Sequence, residues 1–173
     1  MNQEAKDELL EWLMQEYGQS MTRLAFTYTK QKQSAEDIAQ EAFIKCYRSL
    51  DEFRHESSYK TWLYRITVNL CKDKIKSWPF RNIIFTDILP TKTKYSETPE
   101  SHFINVEENR LISEQIYELP IKYREIIFLY YYEELSYNDI SVLLNLKHST
   151  IKSRLHKARA LLKEKIERST SHG

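Results

Sequence analysis

Residues 135–159 read LSYNDISVLLNLKHSTIKSRLHKAR, which is the pattern of two helices joined by a tight turn. Ser136 is followed three residues later by Asp139, and this capping-box spacing predicts the start of the first helix. Asn145 tolerates the left-handed conformation that ends a helix, and Ser149 is a favourable cap for the next one. The stretch therefore predicts a helix-turn-helix.

The second helix of this motif is basic, although the whole chain has a net charge of only +1. From 147 to 168 there are eight basic residues and two acidic ones, whereas 107 to 146 has three basic and eight acidic residues. A helix dipole would favour cations in the last turn, but here the positive charge begins before the first turn. This segregation favours DNA binding over a merely solvated basic helix.

The basic helix has one apolar and one polar face. Four residues recur at helical spacing and are expected to pack on the preceding helix: Ile151, Leu155, Ala158 and Leu162. The side chains left facing outward, and expected to contact DNA, are Lys152, Ser153, His156, Lys157 and Arg159. In the major groove, basic side chains contact phosphate or guanine, while Ser and His reach base edges.

Composition limits the fold and the function classes. The 173-residue chain is 41% hydrophobic and 29% charged, which suits one folded domain or two small ones. It contains only two glycines, so the glycine-rich loops that hold nucleotide phosphates are excluded. The chain is poor in Gly and Pro and rich in Leu, Ile, Glu and Lys, so we predict an all-α protein.

No enzyme active site is predicted. The two cysteines, Cys46 and Cys71, lie in apolar helical patterns and are expected to be buried small hydrophobes in a reducing cytoplasm. The five histidines do not pair with Cys or carboxylates at metal-ligand spacing, so no metal, cofactor or small-molecule substrate is expected. The longest apolar run, residues 126–132, is too short to span a membrane, and no signal peptide is recognised.

Two helical units are predicted, with an irregular linker between them. The first unit, 1–78, contains three amphipathic helices. Two of them cover 7–30 and 59–78, and the helix between them begins at Ser34, with Asp37 as the capping partner. The third helix is expected to bury Trp62, Leu63, Ile66, Leu70 and Ile75. Residues 79–106 hold three of the four prolines and show no sustained period, so they form the linker. The second unit is 107–173.

The third helix of the first unit mixes aromatic and basic residues. Tyr59, Lys60 and Trp62 begin it, and such a mixture suits single-stranded nucleic acid, because bases stack on rings while cations follow phosphate. We expect Trp62 to belong to the core. For Tyr59 two interpretations stay open, a core residue or a residue that stacks on exposed bases. The preceding helix is acidic, which indicates a protein partner with a basic surface.

Two long stretches carry a family resemblance. Residues 35–73, AEDIAQEAFIKCYRSLDEFRHESSYKTWLYRITVNLCKD, resemble region 2 of bacterial sigma factors, and residues 135–159 resemble their region 4 helix-turn-helix. With a linker between them, these stretches make the chain similar to the small extracytoplasmic-function sigma factors of the sigma-70 family. The resemblance implies a subunit of RNA polymerase that recognises promoter −10 and −35 elements.

The resemblance also implies roles for individual residues and partners. The residues expected to dock on the clamp helices of the polymerase β′ subunit are Asp37, Gln40 and Glu41. Those expected to open and capture the −10 element are Ser58, Tyr59, Lys60, Trp62 and Asn69, while the outward residues of the basic helix would read the −35 element. The implied partners are core polymerase, including its β subunit, promoter DNA, and an anti-sigma factor that is often membrane-anchored.

This sequence departs from the family pattern in its turn. Asn145 and Ser149 stand where the family often has glycine, and His148 stands where it has a hydrophobic residue, so base preferences are not carried over. The alternative function is a stand-alone helix-turn-helix regulator with an N-terminal sensing or dimerising domain. That alternative accounts for the C-terminal half but not for the basic and aromatic third helix.

Overall fold

The computed structural model describes residues 1–77 and 110–171, and within these ranges every regular element is helical. The first range contains three long helices: α1 (Gln3–Thr29), α2 (Lys32–Ser49) and α3 (Tyr59–Ser77). A short 3₁₀ turn, Leu50–Glu52, follows α2. Each of the three helices packs against the other two, which makes the bundle that short connections predict. The all-α prediction is confirmed.

The second described range supplies the remaining helices. They are α4, of which residues 110–117 are described, α5 (Ile121–Ile127), α6 (Tyr137–Leu144) and α7 (His148–Ser171). Pro120 stands directly before α5, where a missing N–H group leaves no helical hydrogen bond unmade. A π-helical turn, Phe128–Tyr132, continues α5. Both α5 and α6 pack against α7.

The helix-turn-helix forms as predicted, except at the start of its second helix. The Ser136 hydroxyl accepts a hydrogen bond from the Asp139 N–H at 3.1 Å, and the Asp139 carboxylate accepts one from the Ser136 N–H at 3.4 Å. Asn145 ends α6 in the left-handed conformation, with φ 53°. However, α7 begins at His148, so Ser149 lies in its first turn and the predicted cap at Ser149 is wrong.

The predicted cap at Ser34 is also wrong. Lys30 adopts φ 55° and ends α1, and α2 begins at Lys32, two residues before Ser34. Because only Gln31 separates this helix end from the next start, Ser34 lies inside α2 and its hydroxyl donates to the Gln31 side chain at 3.2 Å. The tight corner between the helices sets the start of α2, rather than the local capping signal.

Helix α3 buries more of its surface than its sequence predicts. Leu63 and Leu70 are buried as expected, but Trp62, Ile66 and Ile75 are only half-buried. Cys71 is buried as expected, and the additional buried residues are Thr61, Tyr64, Thr67 and Val68. The reason is that α3 packs against α1 and α2 on one side and against α6 on another, so a single apolar stripe does not describe it.

The two predicted units are in contact with each other. α5 packs on α1, α6 packs on α3, and the ring of Phe26 meets the ring of Tyr117 edge-on with 5.3 Å between centroids. Buried apolar side chains from both units form one contiguous cluster. The predicted linker, 79–106, lies outside the described residues, and the division into separable domains stays a prediction.

Candidate nucleic-acid and polymerase interface

Helix α7 has one buried face and one exposed face. Ile151, Leu155 and Ala158 are buried, and Leu162 is half-buried. The opposite face carries the five residues predicted to contact DNA, all of them exposed: Lys152, Ser153, His156, Lys157 and Arg159. These side chains are therefore able to contact a DNA groove while the buried face of the helix stays packed.

Aromatic side chains orient two cations on this face. The Arg159 Nε–H donates to the Tyr131 hydroxyl at 2.6 Å, and its guanidinium carbon lies 5.5 Å from the centroid of the Tyr131 ring. Lys152 Nζ lies 5.8 Å from the centroid of the Tyr137 ring. Such cation–π contacts restrain long side chains while leaving their charge exposed.

The loop before α3 forms an aromatic cluster. The Phe53 ring lies 4.5 Å from Trp62, 4.8 Å from Tyr59 and 4.6 Å from His55, measured between ring centroids. Tyr59 and Trp62 are both half-buried. Trp62 was expected in the core, but it lies at the core's edge with part of its ring accessible.

The other predicted −10 residues have different surroundings. Ser58 caps α3, because its hydroxyl accepts from the Thr61 N–H at 3.1 Å. Asn69 is exposed further along α3. Lys60 is turned toward the second unit, where its Nζ donates to the Glu133 carbonyl at 2.9 Å. Accessible surface therefore remains on Tyr59, Trp62 and Asn69, whereas the Lys60 ammonium group is hydrogen-bonded to Glu133.

The outer face of α2 is acidic and borders an apolar groove. Asp37, Gln40 and Glu41 are exposed, and the Asp37 carboxylate accepts a hydrogen bond from Gln33 at 3.0 Å. The groove has a volume of about 790 Å³, and its lining includes Leu10, Met14, Gln40, Phe43 and Ile44. Met14 and Ile44 are about half exposed, at 49% and 51%, so the groove presents apolar surface to a partner.

Sequence reasoning missed two buried acids in the second unit. Glu125 and Glu133 are 3% and 8% exposed, and they stand directly before and after the apolar run 126–132. Glu125 accepts a hydrogen bond from the Tyr28 hydroxyl, and Glu133 accepts one from the Tyr64 hydroxyl at 2.5 Å. Burial and the neighbouring Glu125 carboxylate raise the Tyr28 pKa well above its ordinary value. The apolar run between these two acids indicates a buried segment, but it does not identify the tyrosines that bind them.

Two family models match this chain. Sigma-70 region 2 matches residues 13–78, and Sigma-70 region 4 matches residues 109–162. A relative, the ECF RNA polymerase sigma factor SigW of Bacillus subtilis, is 34% identical over 87% of this chain and 84% of its own length. The chain belongs to the sigma-70 family. It is an RNA polymerase sigma factor of the extracytoplasmic-function group.

One further relative and one solved structure are also similar to this chain. The ECF RNA polymerase sigma-E factor of Haemophilus influenzae is 35% identical to this sigma factor, over 76% of this chain and 74% of its own. A chain in the complex of the sigma factor RpoE with the anti-sigma factor NepR, from Bartonella quintana, matches with a TM-score of 0.68 and 20% identity. That match covers 91% of this chain and 96% of the other, and it establishes the fold.

The family models cover both parts of the candidate interface in this sigma factor. The region 2 match contains the acidic face of α2 and the aromatic cluster, and the region 4 match contains the exposed face of α7. Within residues 1–77 and 110–171, no cluster of His, Cys, Asp and Glu is able to hold a metal ion. None of the helices in those ranges is long and apolar enough to cross a membrane.

Proposed function

We propose that this sigma factor docks on core RNA polymerase through α2, captures the −10 element with the start of α3, and reads the −35 element with α7. The observation that carries the proposal is the exposed basic and polar face of α7, opposite a buried stripe. A helix presented in this way fits the major groove of duplex DNA.

On α7, different side chains have different tasks. All five side chains are exposed; we assign Lys152, Lys157 and Arg159 to phosphate or guanine, and Ser153 and His156 to hydrogen bonds with base edges. Phosphate contacts set position and affinity, whereas base-edge contacts carry sequence information. We therefore assign the −35 preference mainly to Ser153 and His156.

At the −10 element, we assign base stacking to the aromatic cluster. Tyr59 and Trp62 expose ring surface beside Phe53, and aromatic rings of this kind hold unstacked bases of single-stranded DNA. Asn69 is exposed on the same helix and supplies a polar contact. Ser58 contributes by fixing the start of α3 through its capping hydrogen bond.

For polymerase, we assign the acidic face of α2 to the β′ clamp helices. Replacing Asp37 and Glu41 with Lys should lower affinity for core polymerase by about tenfold or more, since like charges across an interface repel. Both side chains are exposed, so circular dichroism of the variant should match that of the wild type. Retention by immobilised core polymerase measures the effect, and wild-type retention would remove this assignment. Replacing Glu8 and Glu11, exposed acids on α1, with Lys is the control.

We further propose that the protein acts in the cytoplasm by binding rather than by catalysis, and that an anti-sigma factor controls it. The RpoE of Bartonella quintana occurs in a complex with the anti-sigma factor NepR, and that chain has the same fold. Co-purification from cells that express the tagged chain would test for both partners. Recovery of neither polymerase nor a stoichiometric inhibitor would count against the proposal.

Reconstituted transcription is the direct test. Core polymerase with this chain should start RNA synthesis at defined promoters, and the start sites should share −10 and −35 motifs. The chain alone should bind the same duplexes weakly. A stand-alone regulator would show the reverse, with tight duplex binding and no ability to direct core polymerase.

A further inference from the structure

We propose that Tyr131 and Arg159 form a clamp for one DNA backbone phosphate at the edge of the −35 interface. Tyr131 holds the Arg159 guanidinium in place and donates its own O–H group to the same phosphate. Because Arg159 is assigned to the −35 element above, this inference rests on the proposed function. It narrows the task of Arg159 to phosphate and adds to the interface a residue that lies outside the recognition helix.

The Tyr131 hydroxyl and the Arg159 guanidinium are joined to each other on the protein surface. The Arg159 Nε–H donates to the Tyr131 hydroxyl at 2.6 Å. The guanidinium carbon lies 5.5 Å from the centroid of the Tyr131 ring and 6.0 Å from that of the Tyr130 ring, so two successive rings restrain one cation. Arg159 is exposed and Tyr131 is 49% exposed, which leaves the pair accessible to a ligand.

This pair retains hydrogen-bond donors for a ligand. A phenol oxygen that accepts a hydrogen bond still carries its own hydrogen, and a guanidinium that uses its Nε–H keeps the N–H groups of both Nη atoms. Within residues 1–77 and 110–171, the Tyr131 O–H has no acceptor and Arg159 has no carboxylate partner. Several donors beside an uncompensated positive charge suit an anion with several acceptor oxygens, and a DNA phosphate has this chemistry.

The π-helical turn, Phe128–Tyr132, supplies the two rings. The Glu133 N–H donates to the Phe128 carbonyl at 3.1 Å, five residues back along the chain instead of the usual four. In this turn the rings of Tyr130 and Tyr131 meet edge-on, with 5.0 Å between centroids, and both lie beside the same guanidinium. Single π-helical turns occur frequently at functional sites, and this one is positioned to hold a cation of α7.

The position of Arg159 along α7 favours a phosphate contact over a base contact. Because α7 begins at His148, Arg159 lies roughly 16 Å from the start of the helix, measured along its axis. Recognition helices contact base edges mainly with their N-terminal residues. The clamp therefore sets how α7 lies on the duplex, and it carries no sequence information.

A row of rings connects the clamp to the reading face of α7. Tyr130 stacks on Tyr137 with 5.4 Å between centroids, and Lys152 Nζ lies 5.8 Å from the centroid of the Tyr137 ring. Lys152 and Arg159 are seven residues apart on α7, which is about 10 Å along the helix axis. The rings therefore fix the clamp at a set distance from the residues that read the −35 element.

The test measures promoter binding by core polymerase that carries the wild-type or the variant chain. The probe is a fluorescein-labelled duplex spanning the −35 and −10 elements of the strongest promoter from the reconstituted transcription, and anisotropy is read at several salt concentrations. Arg159→Ala should lower the affinity about tenfold and the slope of log affinity against log salt concentration by about 0.9. Tyr131→Phe should lower the affinity about fivefold with the slope unchanged, because it removes one uncharged hydrogen-bonding group.

A double-mutant cycle shows whether the two side chains act on one phosphate. Tyr131→Phe combined with Arg159→Ala should cost less than the product of the two single effects, because the first change also loosens the group that the second removes. Each single variant should weaken binding to probes of different −35 sequence by the same factor. Tyr132→Phe is the matched control, because Tyr132 is exposed but its ring stacks on Phe128, and its affinity should equal that of the wild type.

Three results would overturn the clamp: wild-type affinity in Tyr131→Phe, single effects that simply multiply in the double variant, and a changed −35 base preference in either single variant. If Tyr131→Phe lowers the melting temperature, Arg159→Lys replaces it. That variant keeps the charge but loses the Nε donor, so it should bind more weakly with the wild-type salt slope. Promoter-specific transcription by the wild type with core polymerase is measured first. Its absence would refute the proposed function and the clamp together, whereas its presence with any of the three results would refute the clamp alone.

Discussion

At the scale of single residues, the exposed and buried positions of α7 make separable contributions. Lys152, Ser153, His156 and Lys157 are exposed, whereas Leu155 is 1% exposed. Changes on the outer face should therefore alter DNA binding, and changes on the inner face should alter folding.

We expect alanine at each of the four exposed positions to weaken promoter binding by the polymerase complex. Each loses a contact worth about 1–3 kcal/mol, while the melting temperature stays close to that of the wild type. Ser153→Ala and His156→Ala should also change which −35 bases are preferred. Leu155→Ala is the contrasting variant, and it should cost about 2–5 kcal/mol of stability through a core cavity. If the quadruple alanine variant kept wild-type promoter selectivity, α7 would not be the reading helix.

The buried thiols predict a loss of stability at alkaline pH. Burial raises the pKa of Cys46 and of Cys71 from an ordinary 9.0 to about 12 in the folded protein. A raised folded-state pKa contributes stability that is complete below pH 9 and is lost as the pH rises toward 12. Between pH 8 and 10, the free energy of unfolding should fall by about 1 kcal/mol per thiol.

Urea unfolding at both pH values measures this loss, with Cys46→Val as the control. The variant lacks one ionisable thiol, so it should lose about 1 kcal/mol less than the wild type over the same interval. Equal losses in the two proteins would show that Cys46 does not contribute to the alkaline transition.

At the scale of helices, capping influences where a helix begins, and packing decides which of its residues are buried. The Ser136 and Asp139 capping box is complete, whereas Ser149 lies one residue inside α7. Helix α3 shows the effect of packing, because contacts on two sides bury residues outside its predicted stripe.

The two serines of the helix-turn-helix should therefore differ in their contribution to stability. Ser136→Ala removes a side-chain acceptor from the Asp139 N–H and should cost about 0.5–2 kcal/mol. Ser149→Ala is the matched control and should change stability by less than about 0.5 kcal/mol, because its side chain is exposed beyond the helix start. Chemical denaturation of both variants measures the difference. Equal costs would mean that Ser149 caps α7 after all.

At the scale of the whole molecule, two helical units meet through buried polar contacts rather than through apolar packing alone. Tyr28 reaches Glu125 over a separation of 97 residues, and Tyr64 reaches Glu133 over 69 residues. The junction also includes apolar groups, such as the Phe26 and Tyr117 rings. The units are thus expected to hold together without depending on the chain between them.

Limited proteolysis should show whether the two units stay together after the predicted linker between them is cut. The loss of helical periodicity predicts cleavage of the free protein within 79–106, giving two helical fragments. We expect the wild-type fragments to elute together in gel filtration and those of the Glu125→Gln, Glu133→Gln variant to separate. Cleavage mainly within 35–78 would contradict the predicted domain boundary.

Much of this protein was determined by its sequence alone. The periodicity of α7 predicted which side chains face outward, and the Ser136 and Asn145 signals predicted both ends of α6, because these features depend on residues within a few positions of one another. The tertiary structure alone decided the burial of Glu125 and Glu133. Their partners come from helices far away along the chain, and a local pattern shows an acid on a helix but not the helix that packs against it.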